Sequence, residues 1–346
     1  MNAKLRAGVI GGLVGAVTSW IYELIVWVRL LHLTSAYGIA ENTAVLSFGT
    51  GIRSLGAGAF ALGVCIHFLT AMLAFGMSTY LWAYAPERLR LALAPVVCRL
   101  ALVASLVALI SAIAWLALES ASMADDWSAA IDPDQIGAVL TDTAFGHAWA
   151  LHLALAAVLV AVAAFGPRGR WAATSLVSAA LLASLGLVGH AAMQTGTEGI
   201  LHRANHAVHL MAAGAWIGGL VPFAICLHAY ERDDLRKDAV RAMAGFSFWG
   251  QLIVAAIVLT GVVNIALTSY RPPLPPTTPY RALLVAKLFI VAMMILLALF
   301  NRFVLTPRLK ASANALTALR ATSVAEVALG CVVVALVSVF ALLDPA

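Results

Sequence analysis

The sequence predicts an all-α fold: a polytopic bundle of about nine transmembrane helices, with a cytoplasmic amino terminus and a periplasmic carboxyl terminus. Three observations predict it. First, 63% of the 346 residues are hydrophobic and 11% are charged, where soluble domains carry about 25% charged residues. Second, the apolar residues fall into nine blocks with the charges between them, and each block approaches the roughly 20 residues needed to cross a bilayer. Third, the blocks are long and continuous, whereas barrel strands alternate over about 10 residues. Lipid offers backbone amides no partners, so such blocks must be helices.

The blocks lie at about 7–33, 55–85, 91–117, 146–166, 171–191, 203–228, 246–268, 280–300 and 321–342. The first is too long for the core of a cleavable signal and no clean small-residue cleavage site follows it, so it is expected to remain as a helix. Between the third and fourth blocks, residues 118–145 carry Glu119, Asp125, Asp126, Asp132, Asp134 and Asp142 with no Lys or Arg. Segment 229–241 is charged and reads as a solvated helical connection. The run Arg271–Pro279 is proline-rich and predicts a stiff bridge. Cys65, Cys98, Cys226 and Cys331 have no paired spacing and read as small apolar residues. The whole chain, 1–346, is expected to form a single integral membrane domain.

Charge fixes the expected orientation. With Lys4 and Arg6 inside, successive crossings place 15 of the 21 basic residues on the inner side, as positively charged inner loops require. Only Arg53, Arg203, Arg271 and Arg281 fall outside, while Arg29 and Lys287 lie within helices. The net charge of +5 is therefore a topology signal, and a nucleic-acid partner is not implied.

The histidines are asymmetric on that topology. Of nine, His32, His147, His152, His190, His202, His206 and His209 lie toward the outer face, His67 falls within the second block, and His228 lies near the inner face. His202, His206 and His209 stand at i, i+4 and i+7, which puts them on one helical face. His190 ends the preceding block, so four imidazoles can converge. Imidazole suits copper, zinc, iron and nickel, and thioether selects Cu(I); Met193 and Met211 are close in sequence. The expected metal ligands are His190, His202, His206, His209 and Met193. The plainer reading of any one histidine is an interfacial residue with a local hydrogen bond. His147 and His152 are five apart, so at most one is expected to face the pocket.

Polar residues inside apolar blocks are costly and face the bundle interior. His67 is a candidate for an inward path, its plainer reading being a neutral imidazole bonded to a neighbouring helix. Trp216, Gly218, Gly219 and Pro222 follow the histidine face by two turns, where a kink would open a conduit or the glycines would serve close packing. Lys287 and Glu326 are expected to form a structural polar pair. No nucleophile–base constellation is evident, so an enzyme is not expected.

The runs Gly189-His190-Ala191 and Val208-His209-Leu210 through Trp216-Ile-Gly-Gly219 resemble the copper resistance protein D (CopD) family. So do Leu259-Thr-Gly-Val-Val-Asn264, Tyr280-Arg-Ala-Leu-Leu-Val-Ala-Lys287, Asn301-Arg302 and Glu326 with its following Leu-Gly. The match is best over 186–345, with Val28-Arg29-Leu-Leu-His32 resembling the family's first helix. The resemblance implies a multi-pass protein of the bacterial inner membrane that binds copper, with His190 and His209 among the ligands, and moves it from periplasm toward cytoplasm. Nearby methionines favour Cu(I) over Cu(II), and a periplasmic copper-carrier protein is a possible partner beside the lipid bilayer. Two other readings stay open: a membrane carrier of electrons with b-type haem or quinone, for which His67 with His152 or His209 would be ligands, and a non-transporting copper handover or assembly factor.

Overall fold

The structure, a computed structural model, describes residues 53–166, 170–192, 194–268, 278–309, 313–340 and 343. The chain divides into two units, Met1–Ala59 and Phe60–Ala346. Of the first, only the opening residues of one helix are described; the second holds the bundle. The block expected at 7–33, with Arg29 and His32, lies outside the described residues, as does most of the proline run.

Nine helices of eight residues or more are described: α1 (Arg53–Ala83), α2 (Glu87–Ala124), α3 (Pro133–Asp142), α4 (Ala144–Phe165), α5 (Trp171–Ser184), α6 (Gly196–Ala229), α7 (Arg236–Thr268), α8 (Pro279–Phe300) and α9 (Ala313–Phe340). Among the described residues there is no strand. Seven of these helices are long and apolar enough to cross a membrane: α1, α2, α4, α6, α7, α8 and α9. The block expected at 171–191 is shorter, an apolar helix over Trp171–Leu187 that tightens into a 3₁₀ turn after Ser184. A second 3₁₀ turn, Gly189–Ala192, opens on a glycine at φ 69° that suits no β-branched residue.

Two helices differ from the sequence expectation. Helix α3 lies within the acidic segment 118–145. Its start carries its own signal: the Asp132 side chain accepts from Asp134 N at 3.0 Å, and Pro133 occupies the first turn. Helix α6 begins at Gly196, so His202 is helical and buried.

Burial follows helical periodicity. On α2 the stripe Leu89, Leu93, Val97, Ala101, Ala104, Ala108, Ala112 and Leu116 is buried, while Leu91, Val103 and Ile110 are exposed apolar residues of the kind that face lipid. Helix α6 is the most enclosed: 61% of its apolar stretch is buried, against 6% for α7. Close backbone approach builds that centre. A Cβ on Gly218 would stand 2.2 Å from Met72 O, and one on Gly76 would stand 2.4 Å from Gly214 O. Only glycine fits this crossing of α1 and α6.

Candidate functional site

The sequence places imidazoles on α6, and the fold sets His206 and His209 against α7 in an antiparallel ladder that His202 joins through Gln194. His202 Nδ1 meets Gln194 Oε1, and Gln194 Nε2 donates to Leu267 O at 2.6 Å. His206 Nδ1 lies 3.4 Å from Asn264 Nδ2. His209 Nδ1 lies 2.9 Å from Thr260 Oγ1. Asn205 ties the ladder together, its Nδ2 donating to Thr260 O at 2.9 Å and to Asn264 Oδ1 at 2.8 Å. Thr260, Asn264 and Leu267 repeat the i, i+4, i+7 spacing of the histidines they face.

The partners fix tautomers. Thr260 spends its one hydroxyl hydrogen on Ala256 O at 2.5 Å. In that setting of the hydroxyl His209 donates Nδ1–H to Thr260 and keeps a lone pair on Nε2. Gln194 Oε1 can only accept, so His202 also donates from Nδ1. Asn264 Nδ2 donates to His206 Nδ1, so His206 spends a lone pair on that long bond. His202 is buried, and His206 and His209 are half-buried. Among the described residues no three His, Cys, Asp or Glu side chains converge closely enough to hold an ion. Met193 and the side chain of His190 lie outside the described residues.

A second set of histidines is brought together by the fold. His67 on α1 and His152 on α4, 85 residues apart, place their Nε2 atoms 2.9 Å from each other. Both are almost wholly buried, at 0% and 1% exposure. His67 Nδ1 lies 3.1 Å from Ala108 O and 3.0 Å from Ser111 Oγ on α2. His152 Nδ1 lies 2.8 Å from Ser184 Oγ at the end of α5. Trp149 stacks on His152 with centroids 4.6 Å apart, and Trp115 meets His67 edge-on at 5.9 Å. His147 turns away; it is exposed and bonds Thr141 O at 2.7 Å. The spacing of five separates the two side chains on α4, and His152 meets His67 and not the histidines of α6.

The opposite end of α6 lines a cavity of about 630 Å³. Trp216, Phe246, Gln251, Asn301, Arg302 and Glu326 are among its walls. One wall is a π-helical turn, Asn301–Leu305, that continues α8. Asn301 Nδ2 donates to Glu326 Oε2 at 2.7 Å, and Asn301 Oδ1 is buried with no partner. Arg302 donates to Ser247 Oγ at 2.8 Å. Ion pairs near the turn between α6 and α7 join Arg232 to Asp234, Arg236 to Asp233 and Arg320 to Glu231. Glu326 accepts from Asn301, and Lys287, in the first half of α8, lies close enough to His209 to act on it electrostatically. Lys287 belongs to the histidine end of the bundle, and Glu326 lines the cavity.

Of the residues expected on an inward path, His67 is in the buried pair and Trp216 lines the cavity. The space beside the other two glycines is filled, at Gly218 by Met72 O and at Gly219 by the Phe246 ring, 2.5 Å from where a Cβ would stand. Pro222 is buried inside an unbroken α6.

An all-helical membrane bundle with two layers of interior imidazole is thus defined. Comparison with known proteins places it further. Residues 57–200 match the family described as copper resistance protein D-like, N-terminal domain, and residues 240–340 match copper resistance protein D. The chain is 35% identical to inner membrane protein YebZ of Escherichia coli over 81% of its own length and 96% of that protein. It is 32% identical to copper resistance protein D of Pseudomonas syringae, covering 72% and 81% of the two chains. It is 30% identical to copper transport protein CutJ of Bacillus subtilis, covering 62% of this chain and 39% of that one. No solved structure matches. The chain belongs to the copper resistance protein D family. It is a copper-related, multi-pass protein of the inner membrane, and its family is not a family of enzymes.

Proposed function

We propose that the protein is a copper permease that takes copper at the outer face and moves it toward the cytoplasm. Orientation follows the charge distribution, with the amino terminus inside, the carboxyl terminus outside and the whole chain a single membrane domain. The outer site is the α6 ladder, His202, His206 and His209, completed by His190 and Met193 from the turn before it. The acidic segment before α4 draws cations, or a periplasmic copper carrier, to that face. The route inward passes His67 and then the Trp216 face of α6; seven residues separate His209 from Trp216, about 10 Å along a helix. Gly218, Gly219 and Pro222 shape that face by letting α1 and Phe246 come close.

One observation carries this reading: His209 Nδ1 lies 2.9 Å from Thr260 Oγ1, and with that hydroxyl donating to Ala256 O the imidazole donates Nδ1–H and turns its Nε2 lone pair to a metal. Histidine ligands are oriented in this way by the bond their other nitrogen makes. Cu(I) is favoured over Cu(II), because the donors are imidazole and thioether.

Reconstituted vesicles test it. Wild-type protein is expected to load copper, and His209→Ala to lose most of that uptake while remaining folded. Unchanged uptake in folded His209→Ala would remove the outer site from the path. Binding without uptake in the wild type would instead identify a handover or assembly factor.

The electron-carrier reading fits less well. A porphyrin between His67 and His152 would have to part nitrogens 2.9 Å apart and displace Trp115 and Trp149, which pack against both rings. A haem absorption band in the purified protein would restore it.

A further inference from the structure

We infer that His67 and His152 form a second, buried copper site, a two-coordinate clamp for Cu(I) between α1 and α4. The inference takes the identity of the cation from the permease reading, but its geometry is independent of the outer ladder.

The argument begins with hydrogens. Ala108 O can only accept, and the Ser111 hydroxyl donates to that same oxygen at 3.1 Å, so His67 directs its Nδ1–H at Ala108 O and Ser111 Oγ and presents a bare Nε2. His152 faces Ser184, whose hydroxyl has two available settings. It can donate to His152 Nδ1, or it can donate to Leu181 O at 2.8 Å and accept from His152. In the first setting His152 Nε2–H donates to His67 Nε2, which closes the pair as a 2.9 Å hydrogen bond. In the second the proton sits on Nδ1 and both Nε2 lone pairs face each other. Two opposed lone pairs repel unless a cation lies between them. His152 can therefore exchange a neighbour's hydrogen bond for a metal bond by moving one proton from Nε2 to Nδ1. No net proton is released and no ring bond is lost.

The site's chemistry selects the ion. A metal–imidazole bond is about 2 Å, so the nitrogens need to part by about 1 Å to hold one ion in line. Both ligands are neutral, both are buried, and among the described residues no third His, Cys, Asp or Glu joins them. A divalent ion would remain uncompensated in an apolar box, at a desolvation cost that grows with the square of its charge. Zinc also requires about four ligands. A monovalent ion that accepts two nitrogens meets both limits, and of the metals imidazole suits, Cu(I) is that ion.

The test uses the full chain in lipid nanodiscs under anaerobic conditions, with Cu(I) delivered from a competing chelator and read by copper X-ray absorption. Two Cu(I) per chain are expected in the wild type, one at each site; in His209→Ala one remains, with two nitrogen neighbours in a near-linear arrangement, and His152→Ala loses that one. Ser184→Ala keeps both imidazoles but removes the acceptor for Nδ1–H, and it should weaken this Cu(I) by about 10- to 100-fold. Zn(II) should leave the site empty. If folded His152→Ala keeps the same stoichiometry and spectrum, the clamp does not exist, while uptake lost in His209→Ala would still support the outer site. If neither His67→Ala nor His152→Ala folds, Ser184→Ala decides: unchanged affinity overturns the inference.

Discussion

At the scale of single residues, the histidines of α6 are distinguished by what holds them. Their spacing was legible in the sequence because three residues at i, i+4 and i+7 share a face wherever the helix goes. Their partners were not, since nothing local says that Thr260 and Asn264 will stand opposite. Still less legible was His67 with His152: their contact joins α1 to α4, and no local periodicity encodes it. Thr260→Val keeps the volume and removes the acceptor that sets the His209 tautomer. It should weaken copper binding at the outer site by about 10- to 100-fold without changing thermal stability in detergent, as chelator competition would show. Lys287 offers the opposite sign. Its charge lies near His209 and opposes a second cation there. Lys287→Met should tighten copper binding by about tenfold in the same assay. Looser binding would mean that Lys287 supports the site in another way.

At the scale of helices, the spans were legible because lipid leaves the backbone no other choice, so hydropathy and length do most of the specifying. The exceptions have local causes. Helix α5 stops short where Gly186 and Gly189 interrupt it, and α3 forms on an Asp-Pro start that apolar counting passes over. The glycines of α6 were legible as packing or as a conduit, and the crossing with α1 gives them the first role. Gly218→Ala forces Met72 O or the helix axis to move and should cost about 1–3 kcal/mol, seen as a lower melting temperature. Gly63→Ala meets nothing within 4 Å and should leave it unchanged or slightly raised. Equal losses at both positions would show that helix flexibility, and not the crossing, is what matters.

At the scale of the whole molecule, the two ends of α6 differ in kind. One presents imidazoles, the other a cavity with Glu326 and Asn301. The surface turn beyond that cavity is tied down by Arg320, which bonds Glu231 at 2.8 Å and Leu227 O at 2.8 Å. The guanidinium's hydrogen bond holds the Glu231 carboxyl below its ordinary range. A lowered carboxyl contributes stability above its unfolded pKa, near 4.3, and loses it as pH falls through the folded value. Glu231→Gln should therefore melt slightly below wild type at pH 7, by less than about 1 kcal/mol for so exposed a pair. The difference should close toward pH 3. The burial of α6 has a consequence for how the chain is made. The first half of this helix carries Arg203, Asn205 and three histidines, and the helix's apolar stretch is 61% enclosed by neighbours. Leaving the translocon alone, it would expose those groups to lipid with none of their α7 acceptors yet synthesised. The two helices should therefore enter the bilayer as a hairpin, with α6 waiting beside the translocon until Thr260 and Asn264 have emerged from the ribosome.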